Sequence, residues 1–261
     1  MSVAALVESV RPEGGPATLS GAGSWLQGRT LYGGASALIA YTAAIRAFDD
    51  LPPLRGAQIA FIAPLGGELE IRRQMLRRGR NVAVVRSELW SEGNCALTAT
   101  WLFGAAREAN AAHPAAIAPA SGAPEDGEDA AHPLAPAFIR GNFDLRRARR
   151  PTGADGSGAP TIRQWVRLRE SHALDPVSEI VLIGDVLPPG AARAMQRPGP
   201  ISSVNWSFNL LAPAPTTREG WWLAETASQH ADHGYSSERL RLWNASGQQV
   251  LEGMQCVAVF G

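Results

Sequence analysis

The chain has 261 residues, 45% hydrophobic and 18% charged, and its 24 basic and 24 acidic side chains cancel to a formal net charge of zero. That length accommodates one large core or two modest ones, and the lack of a basic excess argues against a nucleic-acid or membrane-surface partner. Every basic residue is Arg and none is Lys, which excludes Schiff-base and lysine-nucleophile mechanisms, while Cys95 and Cys256 are too few and too isolated for a disulfide framework or a zinc site.

The amino terminus carries Glu8 and Arg11 where a secretion signal would have a basic and then an apolar stretch. The longest apolar stretches, residues 38–45 and 180–186, fall short of the ~18–20 residues that cross a bilayer. A soluble, cytoplasmic protein in reducing surroundings is expected.

After an irregular start rich in Gly and Pro, residues 31–48 are nearly all Ala, Leu, Ile and aromatic. They predict a helix surrounded on most sides, opening at Gly33-Gly34 and stopped by Asp49, Asp50 and Pro52-Pro53. Strands are predicted at 58–62, 68–76, 82–90 and 96–103, with hairpin turns at 77–80 and 91–94. Residues 105–135 turn to Ala, Pro, Gly and acidic residues, with too little large apolar surface to order strongly, and are read as a linker. A mobile loop is expected at 151–160, between 138–145 and the strand-like 162–169.

The pattern then recurs: an apolar helix at 177–187 and strands at 202–211, 221–229, 236–243 and 250–260. Leu89-Trp90, a turn with Gly93 and a strand ending Phe103-Gly104 are echoed by Leu242-Trp243, a turn with Gly247 and a strand ending Phe260-Gly261. Duplication on this scale predicts paired domains, not a solenoid: residues 1–104, the linker 105–135, and 136–261.

One helix along a curved antiparallel sheet, present twice, resembles the double hotdog of the acyl-CoA thioesterase II family. Leu31-Tyr32-Gly33-Gly34 is similar to that family's aromatic-Gly-Gly helix start, Phe61-Ile62-Ala63-Pro64 with Gly66 to its strand end, and Leu76-Arg77-Arg78-Gly79-Arg80 to its Arg-x-Gly turn. Ile183-Gly184-Asp185 resembles the helix segment that holds the family's catalytic aspartate, and Met254-Gln255 its glutamine. The third partner, a Ser or Thr on the middle strand, falls on Ser228, with Thr226 on the same strand face by period-two alternation. Pro188-Pro189-Gly190 departs from the pattern and makes the second helix end or kink early.

The resemblance covers about residues 31–103 and 138–261. It implies an α+β fold in which two antiparallel sheets each wrap a central helix, and hydrolysis of acyl thioesters carried by coenzyme A or acyl carrier protein, the acyl chain lying between the domains. Asp185 would activate or orient the water while Gln255 and Ser228 hydrogen-bond it. No metal or cofactor is implied beyond coenzyme A as part of the substrate, and exposed sheet edges imply at least a homodimer. The rival reading is a non-catalytic acyl-binding or scaffolding protein on the same fold.

Each residue also has a plainer reading. A carboxyl inside an apolar helix is costly unless hydrogen-bonded, so Asp185 is either functional or an exposed, helix-terminal acid. Gln255 alone reads equally as a solvated strand amide, and Ser228 as an ordinary strand Ser. Gly33 and Gly34 could bring backbone N–H groups to an acyl carbonyl or phosphate, or simply start a tightly buried helix. Arg78, Gly79 and Arg80, with Arg72, Arg73 and Arg77, could meet coenzyme A phosphates, against a solvated charged turn as the default; the same holds for Arg146, Arg147, Arg149 and Arg150. Trp206, Trp221 and Trp222 read as core. His230 and His233 lie on or beside the 225–235 turn region and not in a helix opposite Asp185, so they read as surface residues and dehydratase chemistry is disfavoured, while His172 precedes the second helix with no evident partner. The first half has no acid within residues 35–45, and counting back from Phe103-Gly104 sets Thr98 against Gln255, so one site per chain is expected.

Overall fold

The computed structural model describes residues 1–19, 21–131, 135–148, 160–170 and 172–260. Residues 151–159 of the expected loop, together with Arg149, Arg150 and Gly261, lie outside the described residues. Along the chain come α1 (Val3–Glu8), β1 (Gly15–Thr18), β2 (Leu26–Gln27), β3 (Thr30–Leu31), α2 (Gly33–Ala47), β4 (Leu54–Phe61), β5 (Glu68–Arg78), β6 (Val82–Ser91) and β7 (Asn94–Gly104). The second half adds α3 (Ala137–Asn142), β8 (Phe143–Arg147), β9 (Thr161–Leu168), α4 (Pro176–Ile183), β10 (Ile201–Leu210), β11 (Trp221–Asp232), β12 (Tyr235–Asn244) and β13 (Gln249–Val259).

α2 forms where the Ala-rich run predicts it. From Ala35 to Ala44 its side chains are buried, and the small size of the alanines lets α2 lie against β5, β6, β7 and α4 together. α4 is shorter than the apolar run. Asp175 caps its start by accepting from the Val177 and Ser178 amides, and it stops at Gly184 because Pro188 and Pro189 cannot donate to a further turn. Residues 137–142 fold as a helical turn ahead of β8 because Phe138 and Ile139 are both buried; a short apolar run does not distinguish helix from strand.

Part of the expected linker lies on the sheet. The Trp243 indole donates to the Ala116 carbonyl at 3.2 Å and Ala118 N–H to Gly247, over a cluster of Trp165, Trp221, Leu223 and Trp243. Small side chains let backbone approach these rings, a contact that counting large apolar residues does not reveal.

The expected pair of separate sheets is not what forms. Eleven strands make one continuous sheet, in the order β1-β5-β6-β7-β4-β10-β13-β12-β11-β9-β8. β4 and β10 are the strands at which the halves meet, and their pairing satisfies backbone groups that would otherwise be left open at two edges.

The duplication is visible in the register. Trp90 faces Cys95 and Trp243 faces Gln249, each beside a one-residue shift, so Trp101 is the counterpart of Gln255. This corrects the alignment that set Thr98 there. Following partners across, Ala57 corresponds to Trp206 and Ile59 to Phe208. The seam pairs Ala57 with Phe208 and Ile59 with Trp206, which is the pattern of a local two-fold through Gln58 and Ser207. In the first half the place of Gln255 is thus taken by Trp101, whose indole donates to Ser87 at 2.7 Å and whose ring packs on Tyr41 at 5.2 Å.

Candidate active site between the two helices

The start of α2 meets the end of α4, and two features lock them together. The Tyr32 hydroxyl donates to the Leu182 carbonyl at 2.5 Å, with its ring stacked on Phe138 at 4.2 Å. Gly34 leaves the space that the Leu182 carbonyl occupies; a Cβ there would sit 2.1 Å from that oxygen. With the helices this close, the open space near their meeting point lies beside them, lined by residues of both halves.

Asp185 sits in the turn just after α4, where Val186 N–H returns to the Ile183 carbonyl at 2.9 Å. One carboxyl oxygen accepts from the Gln255 side-chain amide at 2.6 Å, and the same amide nitrogen donates to the Ser203 hydroxyl at 2.9 Å. The other oxygen lies against Gly33, 2.2 Å from where a Cβ would stand. Burial of the carboxyl pushes its pKa from 3.8 up to about 7, and the Gln255 hydrogen bond opposes only part of that rise. A cavity of about 330 Å³ opens beside it, walled by Gly33 and Phe61 from the first half and Phe138, Leu187, Ser203 and Gln255 from the second.

The structure therefore brings together Asp185, Gln255 and Gly33, and it places Gly34 one residue deeper, as a helix-packing position. It does not bring Ser228. The Ser228 and Ser236 hydroxyls share a hydrogen bond of 2.9 Å, Ser236 donates onward to Glu238 at 2.6 Å, and Thr226 donates to the Pro188 carbonyl at 2.7 Å. The hydroxyl beside Gln255 belongs to Ser203 on β10. Plain alternation from Trp206 would turn Ser202 and Val204 to that face, but the register shift between Ser203 and Asn205 brings Ser203 there instead. The only sequence signal was a pair of serines at the start of the strand after the helix.

Arg78 donates to the Asp49 and Asp50 carbonyls at 2.8 and 3.1 Å, just past the far end of α2. Gly79 and Arg80 belong to the same turn. A helix of 15 residues is about 22 Å long, so within one chain this turn lies at the opposite end of α2 from the cavity. Arg146 donates to the Gly127 carbonyl. His172, His230 and His233 are exposed, the last beside its neighbour Asp232, and Trp206, Trp221 and Trp222 are buried.

A carboxyl that titrates near neutrality, held by an amide and facing a cavity, can exchange a proton with a bound water at working pH. No helix among the described residues is long and apolar enough to cross a membrane.

Residues 22–104 match the acyl-CoA thioesterase N-terminal domain and residues 112–259 the acyl-CoA thioesterase C-terminal domain. No curated protein matches the chain in sequence. Among solved structures, it is similar to a conserved hot dog-fold protein of unknown function from Alicyclobacillus acidocaldarius (21% identity, TM-score 0.81, 94% of this chain and 92% of that one). It is also similar to an acyl-CoA thioesterase II from Mycobacterium marinum (17%, 0.72, 88% and 89%) and to the tesB protein of Mycobacterium avium subspecies paratuberculosis (17%, 0.76, 99% and 98%). At these identities the likeness speaks for the fold. The two domain matches, the second spanning more than half the chain, go further: this chain belongs to the acyl-CoA thioesterase family.

Proposed function

We propose that the protein hydrolyses acyl-CoA thioesters, using a water held at Asp185. The observation that carries this reading is the convergence of Asp185, Gln255 and Ser203 on one cavity. A carboxyl with a pKa of about 7 is matched to taking a proton from water as it attacks the thioester carbonyl. Gln255 fixes that carboxyl, and Ser203 completes the polar corner in which the water is oriented. The amino-terminal end of α2, beginning at Gly33 on the cavity wall, offers a partial positive charge to the oxygen that becomes negative.

The direct test is release of free thiol by the purified protein across a panel of acyl-CoA chain lengths. Release with a preferred chain length is expected; no release on any member would overturn the reading. Ser203→Ala is expected to lower kcat/KM by about ten- to a hundredfold, whereas Ser228→Ala should cost only a few-fold. The reverse order would return the hydroxyl role to Ser228.

A further inference from the structure

Between Asp185 and Gly190 the chain has little regular structure, yet it carries Asp185 at one end and supplies Val186, Leu187, Pro188 and Pro189 to the cavity wall. Its two prolines have no N–H, so its far end can be tied down through amides only at Gly190 and Ala191. Both amides donate to Glu238: Gly190 at 2.8 Å and Ala191 at 3.1 Å, one to each carboxyl oxygen. Glu238 is fully buried. It also accepts from Ser236 at 2.6 Å, and Ser236 in turn meets Ser228 at 2.9 Å.

Position adds to this. Glu238 on β12 stands directly across from Gln255 on β13 and from Ser228 on β11, and facing side chains on antiparallel strands are neighbours. Two adjacent side chains of the sheet thus hold the two ends of one segment, Gln255 at Asp185 and Glu238 at Gly190 and Ala191. The contact is close, since a Cβ on Gly190 would lie 2.2 Å from the Pro160 carbonyl and 2.5 Å from the Ser228 nitrogen. Thr226 adds a third tie through the Pro188 carbonyl.

We propose that Glu238, supported by Ser236 and Ser228, is a positioning residue that sets the Asp185 segment against Gln255 and so holds both the reacting carboxyl and the cavity wall in register. The proposal rests on the thioesterase reading for its kinetic consequence, but not for its structural one. Without Glu238 the far end keeps only the Thr226 bond to the Pro188 carbonyl, which leaves Asp185 freer to drift from the Gln255 amide, and a misplacement of about 1 Å from a remote change can cost about a hundredfold in rate.

The experiment compares wild type with Glu238→Ala by two readouts: kcat and KM on the preferred acyl-CoA, and hydrogen exchange of the Gln255 side-chain amide by NMR. The expected result is a folded variant with kcat about a hundredfold lower and faster Gln255 exchange. A lower melting temperature with unchanged kcat and unchanged Gln255 exchange would make Glu238 merely structural and overturn the proposal. Should Glu238→Ala not fold, Ser236→Ala removes one of the three hydrogen bonds and is expected to move both readouts the same way, by a few-fold; no movement in either would overturn the proposal equally. If wild type hydrolyses no thioester, the functional reading fails while Gln255 exchange still decides the positioning role.

Discussion

Asp185→Asn is expected to lower kcat for thioester release by about a thousandfold while leaving the fold intact. Asn keeps the size and can still bond Gln255, but it cannot take a proton. The pH dependence follows from the same burial. The folded-state pKa is raised to about 7 from 3.8, so below about pH 7 Asp185 is protonated and cannot act as a base; wild-type kcat/KM should rise with pH through about 7 and level off above it. Stability runs the other way. A carboxyl whose pKa is raised on folding stabilises the fold by holding its proton, and that contribution fades as pH rises from the unfolded value through about 7. Asn carries no charge at any pH, so at pH 8 the variant should melt at or above the wild-type temperature. Turnover unchanged in the variant, or lost only together with the fold, would remove Asp185 from the chemistry.

Gly34→Ala is expected to destabilise the protein by about 3 kcal/mol, lowering Tm by about 6–12 °C. The added methyl would stand 2.1 Å from the Leu182 carbonyl and 2.4 Å from the Tyr32 hydroxyl. Backbone cannot yield locally on one side, nor a ring stacked on Phe138 on the other, so α2 and α4 must separate. Leu182 lies three residues before Asp185, and the same separation shifts the carboxyl, so activity falls along with stability. Thermal unfolding followed by circular dichroism checks this, and a Tm within about 1 °C of wild type would show that the helices tolerate more room than their contact suggests.

What local chemistry can specify was legible in the sequence. The Ala-rich run, the alternating segments and the turns at Gly79, Gly93 and Gly247 correspond to α2 and to most of the strands, because periodicity and turn residues act within a few positions. The resemblance pointed to Asp185 and Gln255, 70 residues apart, and these are the two side chains that hydrogen-bond.

Tertiary structure decided everything that depends on distant partners. Whether the halves make two sheets or one turns on β4 finding β10, and no local pattern encodes an edge that another edge will cover. A bulge one residue wide brought Ser203 to the polar corner and left Ser228 in the Glu238 network, because a single extra residue reverses which face a strand presents. The Arg78 turn kept its expected conformation, yet it came to lie at the wrong end of α2 for the cavity, since the spacing of a motif carries no information about which end of a helix it will meet. Sequence by itself determined the parts and the chemical groups they carry; the pairing of two edges, one bulge and the close approach of α2 and α4 decided which of those groups share a cavity.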